Sequence, residues 1–159
     1  MPRKSTISLQ RVVSPDRKYQ SALVQRLINK SMLDGKKQLA ERAVYEALEL
    51  AAKKLNSEDP LEVFERAIKN VSPAFEIKSR RVGGANYQIP FPIQGHRQMH
   101  FAFSWMVQCA RLRHGSSYAQ RLAQEIVDAC GETGGAFKKK EDTHRMAEAN
   151  RAFAHFARA

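Results

Sequence analysis

The chain has 159 residues, 43% apolar and 27% charged, which suits one globular domain burying roughly two-thirds of the surface its unfolded form exposes. Its 27 lysines and arginines stand against 16 acids, a net charge of +11, so the expected partner is a polyanion, either nucleic acid or an anionic membrane surface. No apolar run approaches the ~18 residues of a membrane span and no apolar secretory core opens the chain, so a soluble, non-secreted protein is expected.

Residues 1–12 are polar and basic without a helical stripe and read as a flexible arm, carrying Arg3 and Lys4 as candidate RNA contacts. From Tyr19, the apolar residues Leu23, Val24, Leu27 and Ile28 recur on one helix face, which is expected to end at Asp34-Gly35. Leu39, Ala43, Val44, Ala47, Leu48, Ala51 and Leu55 give a second stripe. Asp59-Pro60-Leu61-Glu62 is a start signal, with an N-cap, a proline at the first helical position and a glutamate placed to close a capping box. Leu61, Phe64, Ile68 and Val71 follow until Ser72-Pro73.

The next stretch alternates and turns on Gly83-Gly84. A two-residue turn there pairs Lys78 with Ile89 and mixes cations into the apolar face. A three-residue Val82-Gly83-Gly84 loop pairs Ile77 with Ile89 and Phe75 with Phe91, and is the preferred register. It sets Lys78, Arg80, Asn86 and Gln88 on one face, with Arg81 near the tip. A two-stranded ribbon is marginal alone, so its base is expected to lean on helices while its basic tip projects.

Met99, Ala102, Phe103, Met106, Val107 and Ala110 mark a fourth helix, and Ser117 is placed to cap a fifth bearing Leu122, Ile126, Val127 and Cys130. Gly131 and Gly134-Gly135 are expected to break it. A last helix, entered through Lys138-Lys139-Lys140, carries Met146, Ala149, Phe153 and Phe156 on one side. Three cations where a helix begins work against its dipole, a cost an external anion relieves. The fold class is thus mainly α: six helices in a single domain over 1–159 with one protruding two-stranded β-ribbon over about residues 74–91.

The charge is blocked along the chain: +7 over residues 1–37, −2 over 38–75, +6 over 76–121, −3 over 122–137 and +3 over 138–159. Separated basic blocks suit a surface that meets polyphosphate at several places. Asp34-Gly35-Lys36-Lys37 is not a nucleotide loop, because Lys30 stands where glycine is needed and Lys37 where Ser or Thr is. Lys30, Lys36 and Lys37 instead cluster as point charges for backbone phosphates, or as a solvated helix end. His96 and His100 lie four apart with no third ligand at credible spacing, and His114, His144 and His155 are scattered. No serine or cysteine nucleophile has a placed base, and Cys109 and Cys130 read as reduced, buried thiols. Trp105 and Tyr118 fit base stacking and core packing equally. No catalysis, metal or cofactor is expected.

Several motifs together are similar to the small-subunit ribosomal protein seven family in its bacterial or organellar form: Asp59 to Ala67, Arg80-Arg81-Val82-Gly83-Gly84, Tyr87-Gln88-Ile89-Pro90, and Glu141 to His155. Lys30 with Gly35-Lys36-Lys37 also matches, and the likeness runs from about Tyr19 to Phe156. It implies a non-enzymatic constituent of the small ribosomal subunit, in a bacterial cytoplasm or an organelle, that binds ribosomal RNA and nucleates head assembly. It further implies a ribbon near the tRNA exit site and the messenger path, with small-subunit proteins nine and eleven as neighbours, and neither membrane nor self-oligomer as partner. The RNA contacts it implies are Lys30, Lys36, Lys37, Lys78, Arg80, Arg81, Arg111, Lys138, Lys139, Lys140, His144 and Arg145. Gln94, Gln98, Ser104 and Ser116 stand where bacterial members usually carry cations, implying thinner contacts around the fourth helix. A DNA-binding helical regulator is the alternative from charge and helicity alone.

Overall fold

The computed structural model describes residues 13–157. Arg3, Lys4 and the arm expected over 1–12 lie outside them. The elements run α1 (Ala22–Ser31), α2 (Lys37–Lys54), α3 (Pro60–Val71), β1 (Phe75–Val82), β2 (Ala85–Pro92), α4 (His96–Leu112), α5 (Tyr118–Cys130) and α6 (Gly134–Ala149), then a terminal 3-10 helix, Arg151–Ala157. Helix α5 is central and packs on α2, α3, α4 and α6. The core is built from the expected stripes, with Leu27, Ile28, Val44, Leu48, Phe64, Met106, Leu122 and Ile126 fully buried. Phe64 stacks on Phe103 at 6.3 Å between ring centres, joining α3 to α4.

The two expected N-caps form, while among the described residues no hydrogen bond from Glu62 closes a capping box at Asp59. The Asp59 carboxylate accepts the Leu61 N–H at 2.8 Å with Pro60 opening α3, and the Ser117 hydroxyl accepts the Gln120 N–H at 3.3 Å at the head of α5. Each satisfies a backbone donor that the first turn leaves unpaired.

Four expectations are corrected. Helix α1 stops at Ser31, before Asp34-Gly35; those residues, with φ of 51° and 72°, form the turn into α2 instead of capping α1. Leu39, assigned to the α2 stripe, is 66% exposed because the buried face of that helix starts at Ala40. Gly134 and Gly135 open α6. A Cβ on Gly134 would lie 2.9 Å from the Asp128 Cβ and one on Gly135 3.1 Å from the Cys109 sulfur, so these glycines let the first turn of α6 press against α5 and α4. Lys138, Lys139 and Lys140 consequently fall in the second turn of α6 and not at its start, and the helix ends at Ala149, with Asn150 as its C-cap before the 3-10 segment.

The ribbon register differs too. Lys78 pairs with Ile89, Arg80 with Tyr87 and Val82 with Ala85, around a two-residue Gly83-Gly84 turn. Both glycines have positive φ, 57° and 91°, as the favoured hairpin turn requires. Lys78 and Arg80 therefore share a face with Ile89 and Tyr87, while Arg81, Asn86, Ser79 and Gln88 share the other. The cations that argued against this register are matched by Glu76, which is buried on that same face and pairs with Lys78. The Lys78 ammonium also lies 4.9 Å from the centre of the Phe91 ring.

Candidate nucleic-acid interface

Glu76 is the pivot of the ribbon root. Its two carboxylate oxygens take Lys78 at 2.7 Å and Arg97 of α4 at 2.8 Å, fastening strand to helix. Burial alone would raise its pKa, but the hydrogen bonds from Lys78 and Arg97 and their charges outweigh it and hold the carboxyl below the usual glutamate range. Further along the same face, Tyr87 packs on Phe153 and Phe156 of the 3-10 helix at 5.0 and 5.8 Å, and Arg80 donates to the Phe156 carbonyl at 3.0 Å. The root is thus braced twice. Residues 78–86 beyond it are exposed apart from the half-buried Val82.

From the root the cations continue along α4 and α1. Arg26 of α1 lies 3.4 Å from the His96 ring nitrogen and donates to the Met99 sulfur at 3.3 Å. Lys30, one turn on, borders the same cleft as His96 and His100. Burial lowers the His100 pKa, and the charges of Lys30 and Arg97 lower it further. At the end of α1, Arg111 donates to the Ser31 carbonyl at 3.2 Å, and the Tyr118 hydroxyl donates to the Ser31 hydroxyl at 2.9 Å. Leu33, Leu39, Lys36, Arg111 and Arg121 line one groove of about 490 Å³ there, together with the acids Asp34 and Glu46. The structure therefore brings Lys78, Lys30, Lys36, Lys37 and Arg111 into one run of touching elements: ribbon, α4, α1 and the α1–α2 turn. Among the described residues, Lys30, Lys36, Lys37, Arg81 and Lys138 have no side-chain hydrogen bond or ion pair.

The α6 group is placed differently. Lys139 donates to Gln108 at 3.0 Å and Lys140 to the Asn70 carbonyl at 2.6 Å, while Arg145 faces Asp142 at 3.8 Å. His144 accepts the Ala74 N–H at 3.0 Å, and burial followed by the Lys140 charge lowers its pKa. It pins α6 to the ribbon root in its neutral form. Tyr118 and Trp105, open to either use in the sequence, pack against the core. Arg113 is withdrawn as a surface cation: it pairs with the buried Glu125 at 2.7 Å and with Asp128, and Glu125 also accepts the Ala136 N–H. Cys109 and Cys130 are free thiols; Cys109 is buried and Cys130 partly so.

Sequence reasoning missed Arg26, Arg97 and His96 as neighbours of the interface. The four-residue spacings Arg26–Lys30 and His96–His100 put each pair on one helix face, but only the packing of α1 on α4 joins the two faces. A further common feature is the absence of acids from the first turns of α1, α2, α4, α5 and α6, whereas α3 alone among the described α-helices has one, Glu62. Helix starts without acids leave their positive ends available to anions. Among the described residues there is no group of three or more metal-ligating side chains, and no helix is long and apolar enough to cross a membrane.

A family model described as ribosomal protein S7p/S5e matches residues 2–151. The chain belongs to the S7p/S5e family. Relatives named small ribosomal subunit protein uS7 include one from Thermomicrobium roseum, 53% identical over 98% of this chain and 99% of the relative. Others are from Chloroflexus aggregans, 51% identical over 99% of each chain, and from Natranaerobius thermophilus, 55% identical over 92% of this chain and 93% of the relative. As a member of S7p/S5e the chain is a non-enzymatic structural constituent of the small ribosomal subunit and binds its ribosomal RNA. These uS7 relatives are bacterial, so its place is the cytoplasmic ribosome of a bacterium. Membership sets aside the DNA-binding alternative.

Proposed function

We propose that the chain nucleates the head of the small subunit by clamping folded ribosomal RNA, while its ribbon borders the tRNA exit site and the messenger path. What carries this reading is the continuous run of cations from the ribbon root across α4 and α1 to the α1–α2 turn, joined through Glu76–Arg97, Arg26–His96 and Ser31–Arg111 contacts. Separate basic helices would each hold a strand; a braced run fixes several strands relative to one another. Phosphate contacts of this kind position an RNA without reading its sequence.

The candidate residues divide by their partners. Lys30, Lys36, Lys37, Arg81 and Lys138 act as phosphate contacts, and so does Arg111, whose guanidinium keeps further donors beyond the one bound to the Ser31 carbonyl. Lys78, Arg80, Lys139, Lys140 and His144 spend their hydrogen bonds inside the protein and shape the surface, with Arg145 at its margin. Proteins nine and eleven of the small subunit are the neighbouring partners in this reading, joining after the RNA has been gripped.

Stepwise reconstitution of head RNA with purified proteins tests it. Leaving out this chain should block the later addition of proteins nine and eleven. Arg81→Glu, at the exposed tip and away from the brace, should disturb tRNA at the exit site while assembly proceeds. Normal head assembly without the chain would refute the nucleation role, and an assembly defect in Arg81→Glu would refute the division between tip and body.

A further inference from the structure

We propose that the notch between α1 and α4, walled by Arg26, Lys30, His96 and His100, seats one phosphodiester of the RNA backbone, and that seating it charges the two histidines. The inference rests on the RNA-binding reading above. The notch has a volume of about 380 Å³ and is lined by those four residues with Asn29, Met99 and Phe103. No carboxylate lines it.

Arg26, Lys30 and the Asn29 amide all present donors to the notch. Arg26 is fixed by its bond to the Met99 sulfur, with its other terminal nitrogen 3.4 Å from His96 Nε2. A guanidinium only donates, so toward Arg26 the His96 Nε2 can only accept. Asn29 has its side-chain oxygen occupied by the Gln25 amide at 2.9 Å, which leaves its NH2 as donor. Met99 and Phe103 give an apolar floor suited to the face of a ribose.

An arriving phosphate oxygen takes the Arg26 N–H, and His96 Nε2 can then bind a proton and donate to the same anion. The pKa of His100, one turn along α4, is lowered first by burial and then by the charges of Lys30 and Arg97. An anion between these groups offsets both charges. The groups facing the histidines are Arg26 and Lys30 from α1 and Arg97 from α4, with Glu76 and Lys78 on the ribbon already paired among themselves and with Arg97. Helices α3, α5 and α6 contribute no charged group to the lining. Binding is therefore linked to proton uptake, and a linked proton makes affinity rise as pH falls.

The test is the affinity of the chain for small-subunit head RNA, by fluorescence anisotropy at fixed ionic strength from about pH 8 to pH 6, the range in which histidine titrates. The wild type should bind about tenfold more tightly at the lower pH, corresponding to one proton or less per histidine. The double variant His96→Gln, His100→Gln, at two exposed positions, should bind with less than about twofold change over that range. A flat wild-type profile, or an unchanged pH dependence in the double variant, would overturn the notch while leaving RNA binding intact. No binding by either protein would overturn both readings. Imidazole C–H resonances separate the source of the phosphate: shifts of His96 and His100 on adding RNA support the assignment, and shifts with inorganic phosphate but not with RNA refute it.

Discussion

Replacing Glu76 with alanine removes the carboxylate that ties β1 to Arg97 of α4. The carboxylate is 5% exposed and holds Lys78 and Arg97 at 2.7 and 2.8 Å. Deleting one member of a buried pair costs about 3–5 kcal/mol when the survivor stays buried. Here the survivors are 53% and 54% exposed and regain water, so the cost falls to about 1–2 kcal/mol. That cost is local, because the core stripes of α2, α3 and α5 do not touch Glu76. Hydrogen exchange on Glu76→Ala should therefore show ribbon amides from Ile77 to Ile89 losing about 5–30-fold in protection, with α2 and α5 unchanged. Unchanged protection in the ribbon, or equal loss in α5, would refute the pivot. The same carboxyl sets a pH dependence. Its folded pKa is lowered, so its contribution is complete above the usual glutamate pKa of about 4.3 and is lost as pH falls below it. Ribbon protection should drop on acidification before the core melts.

Other expectations follow from single residues. Gly83→Ala meets no atom within 4 Å but must hold a φ of 57°; it should weaken the hairpin by about 1–2 kcal/mol through backbone strain alone, seen as faster exchange at the tip. Asp59→Ala should lower global stability by about 1 kcal/mol in urea unfolding, as the Leu61 N–H loses its cap. Phe64→Ala, at the α3–α4 stack, should cost about 3–5 kcal/mol in the same assay.

How much of this was legible depended on the range of the interaction. Asp59 and Ser117 act on backbone donors two or three residues away, and the stripes of α1 to α5 obey a period of 3.6, so those features stand in the sequence. The ribbon register is set by a buried Glu76 whose partner Arg97 is 21 residues distant, and a pattern rule that keeps cations off apolar faces cannot see it. Gly134-Gly135 reads as a break, yet its use is close approach to Cys109 and Asp128, which only packing defines. For the interface, the free cations Lys30, Lys36, Lys37 and Arg81 could be picked out by charge and motif. That Arg113 is consumed by Glu125, or that Arg26 reaches His96, depends on which helices lie together.

The grip on phosphate is tested most directly by the salt dependence of binding to small-subunit head RNA. With the six proposed contacts, Lys30, Lys36, Lys37, Arg81, Arg111 and Lys138, log Kobs should fall against log salt with a slope of about −4 to −5. Lys36→Glu with Lys37→Glu should make that slope shallower by about 1.5. A slope near zero for the unaltered chain would mean that the RNA is not held through its backbone.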